Sequence, residues 1–249
     1  MQGFNTTVSA TEQSWPENPE FYANTNIAND PAIYEIENLA ADPEGTVEAA
    51  MMRIAPWQGK VVLDIGAGTG FHIPRFARAA AHVVAVEPDG HLCRLIMQRV
   101  VDQNLTNVSV IGASAADIPL RDGSVDIAHA RFAYFFGPGA ESGLAELARV
   151  IAPGGTAFII DNDLRSGTFA SWVVRAYDYS ASFIDDYEQF WEKHGFSIER
   201  LPSRWVFARR DDLEQVIRLE FPDPHASEII AEHEGLEVDY DLLLLHRTY

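Results

Sequence analysis

The sequence is poor in cysteine, in basic residues and in long apolar runs. Its 249 residues include one cysteine, Cys93, so no intramolecular disulfide can form, which suits a reducing compartment. No run of about 18 apolar residues is present, so we expect no membrane span. Residues 1–20 lack the basic start and the apolar stretch of a secretory signal. These absences together predict a cytoplasmic protein.

Basic residues are scarce relative to acidic ones. The chain has 18 Lys and Arg against 37 Asp and Glu, which gives a formal net charge of -19. A negative excess of this size repels phosphate backbones and anionic membrane surfaces, so we expect neither nucleic acid nor a membrane as a partner. The sequence also lacks an H-x-E…C-x-x-C pattern or another ligand spacing typical of a metal site, so we expect no metal.

Strands alternate with helices between residues 60 and 161. Apolar runs predict five strands, at 60–65, 82–86, 107–111, 124–129 and 155–160. The intervening segments 71–81, 89–101 and 143–151 have the composition or the spacing of helices. This alternation with short connections predicts a doubly wound parallel sheet. Outside it we expect helices at 28–55, 167–195, 211–219 and 226–234, and two longer strands at 196–208 and 238–249.

The stretch VVLDIGAGTG at 61–70 places three glycines directly after an apolar strand and Asp64. Ligands of doubly wound sheets bind at the carboxyl ends of strands, where glycine lets the backbone approach them closely. A plain turn would need one or two glycines. The dinucleotide pattern G-x-G-x-x-G fails here because its last position is Phe71, and no G-x-x-x-x-G-K-[ST] occurs.

Four landmarks resemble those of one enzyme family. The D-x-G-x-G-x-G at 64–70 resembles motif I of the class I S-adenosylmethionine-dependent methyltransferases. The stretch VVAVEPDG at 83–90 puts an acid at the end of the second strand. The segments 116–136 and 144–160 resemble the family's D-L-P-F-x-D-x-S-F-D and R-V-L-K-P-G-G regions. The group that resembles the chain most is the type 11, ubiquinone/menaquinone-biosynthesis-like, small-molecule methyltransferases.

The resemblance implies an α/β fold of three αβα layers. Its Rossmann-like, doubly wound sheet would have seven strands, with the last strand antiparallel beside the fifth, and a helical N-terminal cap. We therefore expect one methyltransferase domain over 1–249. It would comprise a loose arm at 1–20, a helical cap at 21–58, a cofactor-binding core at 59–161, and substrate-side helices with the last two strands at 162–249.

The resemblance also implies a set of residues that bind S-adenosylmethionine. Asp64 would fix the glycine loop or reach the cofactor's amino group, and Glu87 would accept hydrogen bonds from both ribose hydroxyls. Ser114 stands where many relatives carry an adenine-contacting acid, with Asp117 as an alternative acid. The implied cofactor-binding residues are Asp64, Gly66, Ala67, Gly68, Thr69, Gly70, Phe71, Glu87, Pro88, Ser114, Ala115 and Arg131.

The catalytic group is less well defined by the sequence. An oxygen acceptor would benefit from a general base, and the candidates are His129 and, after it, Tyr134. Arg131 could meet the cofactor carboxylate, an acidic substrate or a structural acid. The aromatic segment 172–207 favours a small, partly hydrophobic acceptor, and S-adenosylhomocysteine would be the second product. The methylated atom and the oligomeric state stay open.

Two other functions compete with methyl transfer. The chain could be a non-catalytic protein that keeps the fold and acts through a partner, or an NAD-binding oxidoreductase. Intact Asp64, Glu87 and loop glycines argue against the first alternative, and Phe71 argues against the second.

Overall fold

The computed structural model describes residues 25–133 and 139–249, which form nine strands and ten helices. The strands are β1 (Val61–Ile65), β2 (His82–Val86), β3 (Val108–Ile111), β4 (Val125–Arg131), β5 (Ile151–Asn162), β6 (Ser197–Leu201), β7 (Arg204–Val206), β8 (Glu237–Asp239) and β9 (Leu242–Thr248). The helices are α1 (Thr25–Asn29), α2 (Pro31–Ala40), α3 (Thr46–Ile54), α4 (Ile73–Ala77), α5 (Gly90–Asp102), α6 (Glu141–Val150), α7 (Thr168–Tyr177), α8 (Ala181–Lys193), α9 (Arg210–Glu220) and α10 (His225–Glu232).

Seven of these strands form one sheet in the order β3-β2-β1-β4-β5-β9-β6. Strands β1 to β5 are mutually parallel, whereas β9 runs antiparallel to both β5 and β6. The prediction of a doubly wound, seven-stranded sheet whose last strand runs antiparallel beside the fifth is confirmed.

Apolar side chains cover both faces of this sheet. Val62 and Val83 belong to one buried cluster, whereas Leu63 and Val84, the next residue on each strand, belong to a second cluster. Successive side chains of a strand point to opposite faces, so a strand covered by helices on both sides must be apolar throughout. This explains why β1 and β2 appear in the sequence as continuous apolar runs.

The two longer strands expected at 196–208 and 238–249 are wrong, because each is broken in two. Pro202 has no N–H to donate to a ladder, and the next residue, Ser203, donates its N–H to the Asp241 carboxylate at 3.1 Å. Strands β7 and β8 therefore leave the main sheet and pair with each other in an antiparallel ribbon.

Two predicted helical segments are also shorter in the structure. The segment 71–81 contains only the five residues of α4, and the Asn107 side chain donates to the carbonyls of Ala77, the last residue of α4, and of Ala80 beyond it. The segment 28–55 is divided into α1, α2 and α3. Asp30 caps α2 by accepting from Ile33 N, and Asp42 accepts from the first N–H groups of α3.

The N-terminal helices and α9 lie together over the carboxyl edge of the sheet. The Asn26 amide donates to Glu220 Oε1 at 2.8 Å, which joins α1 to the end of α9, and α2 packs on α9. The division into arm, cap, core and substrate-side region remains a prediction, and the arm at 1–20 lies outside the described residues. Within the described ranges, no helix is long and apolar enough to cross a bilayer.

Candidate functional site

A cavity of about 520 Å³, called here the large cavity, opens at the carboxyl ends of β1, β2 and β4. This is the edge at which doubly wound sheets bind ligands. Among the described residues, the predicted candidates that line it are Asp64, Gly66, Ala67, Gly68, Thr69, Phe71, Glu87, Pro88, Ser114, Ala115, His129 and Arg131.

Three predicted residues are not among the described residues that line the large cavity. Gly70 is absent from the cavity wall. A Cβ added there would lie 3.2 Å from Ile73 of α4 and 3.3 Å from Ile96 of α5, so Gly70 packs against these two helices. Asp117 is exposed and also lies outside the wall. Tyr134 lies outside the described residues.

The glycine loop is fixed by its backbone. The N–H groups of Gly66 and Ala67 both donate to Val86 O, at 2.8 and 3.1 Å, and so connect the end of β1 to the end of β2. Gly66 has a φ of +65°, and a Cβ there would lie 2.6 Å from Ala133 Cβ. Glycine is therefore required at this position both by conformation and by the close approach of the loop after β4.

Helix α2 is joined to the same loop. The Thr69 hydroxyl donates to the Glu35 carboxylate, and Arg99 donates to Glu35 Oε1 at 2.7 Å and to Thr69 O at 3.0 Å. Ile27 and Tyr34 of α1 and α2 line the large cavity, although the sequence offered no motif for them. The helical composition of 28–55 pointed only to a cap, because the side chains that enter a cavity depend on how the helices pack.

Glu87 is buried and binds two backbone N–H groups. Its Oε2 accepts from Gly68 N at 2.8 Å, and its Oε1 accepts from Asp89 N at 3.0 Å. Burial raises the pKa of Glu87 to about 7, against the lowering effect of these two hydrogen bonds. A carboxylate offers about four lone-pair positions, so both oxygens can still accept from a ligand hydroxyl.

Asp64 and His129 form a buried pair on neighbouring strands. Asp64 Oδ1 lies 2.7 Å from His129 Nδ1, and both side chains are almost completely buried. In the tautomer whose Nδ1–H donates to Asp64, the free lone pair of the ring is on Nε2. The His129 ring also meets Phe76 edge-on, with 5.0 Å between ring centroids.

The sequence placed Asp64 and His129 in separate roles, and the structure joins them. They are register partners across β1 and β4. The signal available beforehand was that each residue occupies a similar place near the end of a parallel strand. Whether those two strands are neighbours depends on the order of strands in the sheet, and the spacing of residues along the chain does not reveal that order.

Arg131 lies at the end of β4, with its guanidinium 5.2 Å from the centre of the Phe132 ring. Its Nε is buried and has no hydrogen-bond partner among the described residues. The described part of the chain also provides it with no ion pair within 4.0 Å. A guanidinium that faces a cavity without such partners can bind a carboxylate group of a ligand.

Two carboxyl groups meet next to the large cavity. Glu37 of α2, only 6% exposed, is hydrogen-bonded to Glu220 at the end of α9, and its Oε2 has no described partner. Burial, with the neighbouring Glu220 carboxylate, raises the pKa of Glu37 well above its ordinary value. Burial also raises the pKa of Glu220 to about 7, although the Asn26 amide opposes this.

We expect the variant Glu220→Gln to increase stability at alkaline pH. The folded protein keeps Glu220 protonated up to about pH 7, whereas the unfolded chain releases that proton near pH 4.5, as an ordinary glutamate does. Wild-type stability therefore falls as the pH rises through this window, and glutamine removes that loss. In urea unfolding, the wild type and Glu220→Gln should be nearly equally stable at about pH 4.5, and the variant should be the more stable one at about pH 8. The control is Glu234→Gln at an exposed position, which should leave the stability unchanged at both pH values. A constant difference at every pH would contradict this account.

Comparisons with known proteins find methyltransferases. Residues 62–155 match a family model for a methyltransferase domain. The demethylmenaquinone methyltransferase of Clavibacter sepedonicus is 32% identical over 113 residues, which cover 45% of this chain and 45% of that protein. The dimethylglycine N-methyltransferase of Parasynechococcus marenigrum is 33% identical over 132 residues, covering 50% and 46% of the two chains.

Solved structures give the same fold. The YcgJ protein of Bacillus subtilis superposes with a TM-score of 0.60 at 15% identity, and the match covers 80% of this chain and 95% of that one. The chain spans less than half the length of the curated relatives described above. The comparisons confirm the resemblance found in the glycine loop and the later landmarks. Residues 62–155 therefore match a methyltransferase domain, and this part of the chain resembles the class I S-adenosylmethionine-dependent methyltransferases of the ubiquinone/menaquinone-biosynthesis type.

Proposed function

We propose that this protein transfers the methyl group of S-adenosylmethionine to a small, partly hydrophobic organic acceptor and releases S-adenosylhomocysteine. The observation that carries the proposal is the large cavity, which brings the glycine loop, Glu87 and the Asp64–His129 pair to one carboxyl edge. S-adenosylmethionine supplies a methyl group on a positively charged sulfur. The protein's task is to hold the two reactants in line and to exclude water.

The residues of the cavity fit the cofactor by their chemistry. Glu87 would accept from both ribose hydroxyls, since each of its oxygens keeps an acceptor position beside its backbone bond. The side-chain-free backbone of Gly66 and Gly68 would face the methionine part. Ser114 and Ala115, on the same wall, would lie beside the adenine, and Arg131 would meet a carboxylate.

His129 is the proposed general base for an acceptor that must lose a proton. Asp64 holds Nδ1, so the free lone pair is on Nε2. A carboxylate that orients a histidine in this way also stabilises the imidazolium formed when Nε2 takes up a proton. The role requires an acceptor O–H or N–H; a nucleophile without a proton to lose would need only positioning.

Calorimetric titrations of the folded protein with S-adenosylmethionine and NADH test the proposal. We expect micromolar binding of S-adenosylmethionine and none of NADH. Release of S-adenosylhomocysteine should then depend on an added acceptor, screened among small quinols, phenols and amines. Binding of NADH alone would favour an oxidoreductase, and cofactor binding without turnover across the screen would favour the non-catalytic alternative. The comparisons give neither alternative any support.

The affinity for S-adenosylmethionine should depend on pH through Glu87. The raised pKa of about 7 means that the free protein is largely protonated at Glu87 in acid. A carboxylate that accepts two hydroxyls must be ionised, so binding has to expel this proton below about pH 7. We expect the dissociation constant to rise up to about tenfold per pH unit from about 7 towards about 5.5. A Glu87→Gln variant should lose this slope, and a flat wild-type profile would contradict the assignment.

A further inference from the structure

A second cavity of about 140 Å³ lies beyond the end of β5. It is lined by side chains from the end of β5, from α7 and α8 and from the end of α9. Strand β5 is paired with β4 up to Ile160 and Arg131, and Arg131 lines the large cavity. The two cavities are therefore neighbours at the same edge of the sheet. The second one, called here the aromatic cavity, has no part in the cofactor site described above.

The wall of this cavity is mostly aromatic. Tyr179 stacks on Phe183 with ring centroids 4.4 Å apart, and Tyr177 stacks on Tyr179 at 5.9 Å. Aromatic faces carry negative potential and attract cations placed over them. The rings of the wall are Phe169, Tyr177, Tyr179, Phe183, Tyr187 and Phe221.

Two carboxyl groups, those of Asp161 and Glu220, also belong to the wall. The Tyr187 hydroxyl donates to Asp161 Oδ2 at 2.6 Å, and Asn26 donates to Glu220. Neither acid has an ion pair with a described Lys or Arg within 4.0 Å. Acids close by in the chain do have such partners: Arg200 pairs with both Asp163 and Glu188. Burial raises the pKa of Asp161 to about 6 and that of Glu220 to about 7, so both carboxyl groups are ionised above about pH 7, where the described residues provide them with no ion-pair partner.

One acceptor atom of this cavity also lacks a donor. Asn162 Oδ1, in the wall, is buried and has no hydrogen-bond partner among the described residues. Buried polar atoms in proteins are usually satisfied, so an unsatisfied acceptor indicates a missing donor. A ligand that supplies both a positive charge and N–H or polarised C–H groups would satisfy this acceptor.

Electrostatic effects agree with the closeness of the two cavities. The carboxyl groups of Asp161 and Glu220 both contribute to raising the pKa of Tyr34, after burial and Glu37. Tyr34 lines the large cavity. A charged group held in the aromatic cavity is therefore close to the place where the cofactor would bind.

We propose that the aromatic cavity binds the ammonium group of the methyl acceptor, so that the acceptor is a small organic cation. The inference rests on the proposed function, because it assigns the substrate class of the same reaction. Aromatic faces and carboxylates together favour an alkylated ammonium over a hydrated metal ion, since the rings cannot replace the oxygen ligands of a metal. The same carboxylates repel anionic acceptors.

Choline and its neutral isostere, in which carbon replaces the ammonium nitrogen, test the charge requirement. Both probes are titrated into the wild-type protein saturated with S-adenosylhomocysteine, and binding is followed by calorimetry. We expect choline to bind at least about fivefold more tightly than the isostere, because shape and apolar area are matched and only the charge differs. Equal affinities would overturn the proposal, and so would the absence of choline binding at millimolar concentration.

Variants then locate the bound cation. Tyr179→Leu removes an aromatic face and should weaken choline binding about threefold to tenfold, and Asp161→Asn should weaken it by at least as much. Phe183→Leu repeats the first test at a more exposed position, in case Tyr179→Leu unfolds. Tyr249→Leu is the matched control, because Tyr249 pairs with Gly155 at the opposite end of β5. Choline binding that none of the three cavity variants weakens would overturn the assignment.

The same samples separate this inference from the proposed function. Affinity for S-adenosylmethionine should be unchanged in Tyr179→Leu and Phe183→Leu. A protein that binds S-adenosylmethionine but not choline refutes the cation site and leaves methyl transfer standing. A protein that binds choline but not S-adenosylmethionine refutes the proposed function, and the cavity then remains a cation site of another activity.

Discussion

Replacing Gly66 with alanine is expected to weaken S-adenosylmethionine binding at least about tenfold and to lower the melting temperature by about 5–10 °C. Residue 66 has a φ of +65°, where an L side chain costs about 1–2 kcal/mol. The added Cβ would also lie 2.6 Å from Ala133 Cβ, an atom that can move only with its backbone. The loop must shift, and it carries the N–H groups that bind Val86 O.

Gly59→Ala is the matched control for this experiment. Gly59 has a similar φ of +69°, but a Cβ there meets nothing within 4 Å. This variant should show the conformational cost alone, with a fall in melting temperature of about 2–4 °C and unchanged cofactor affinity. Differential scanning calorimetry and cofactor titration on both variants measure the difference. If Gly66→Ala and Gly59→Ala behave alike, the close approach to Ala133 has no role in the site.

Glu87→Gln is expected to weaken S-adenosylmethionine binding about a hundredfold at about pH 8. Both oxygens of Glu87 accept backbone N–H groups, from Gly68 and Asp89. Glutamine offers one oxygen and one NH₂ group, so one donor must face another donor, and the negative charge is lost. Hydrogen bonds to charged groups contribute about 1.5–3 kcal/mol each, and about 1.4 kcal/mol corresponds to a factor of ten.

The control for this change is Glu199→Gln on β6. Glu199 binds Arg53 near the solvent, away from the large cavity, so its replacement should leave cofactor affinity within about twofold of the wild type. Calorimetric titration at the same pH gives both dissociation constants. A Glu87→Gln protein that still binds within about threefold of the wild type would show that Glu87 holds the loop but does not bind the ribose.

Local patterns in the sequence predicted the core of the fold and the position of the candidate site. The apolar runs of β1 and β2 predicted buried strands, because strands covered on both faces need apolar residues throughout. The sequence singled out the glycines after Asp64 and the acid Glu87 from their positions at strand ends, and the structure places Gly66, Gly68 and Glu87 in the wall of the large cavity. The resemblance at 60–161 then supplied the sheet architecture and the cofactor.

The remaining features depend on contacts between residues far apart in the chain. The pairing of Asp64 with His129 requires β4 to lie beside β1, and the meeting of Glu37 with Glu220 requires α2 to pack on α9. The break of the last two strands follows from Pro202 together with a hydrogen bond from Ser203 to Asp241 across the chain. Periodicity reports only which residues are apolar and how they are spaced.

The aromatic segment 172–207 shows most directly what the sequence predicts and what depends on tertiary contacts. The sequence alone determined that many large rings follow β5 and favoured a partly hydrophobic acceptor for the segment as a whole. Only the tertiary structure separates them: Trp191 is completely buried in the core, whereas Tyr179 and Phe183 face a cavity with Asp161 and Glu220. Helix packing decides which side chains of α7 and α8 enter the core and which line the cavity, so the charge and the shape of that cavity are properties of the fold and not of any one segment.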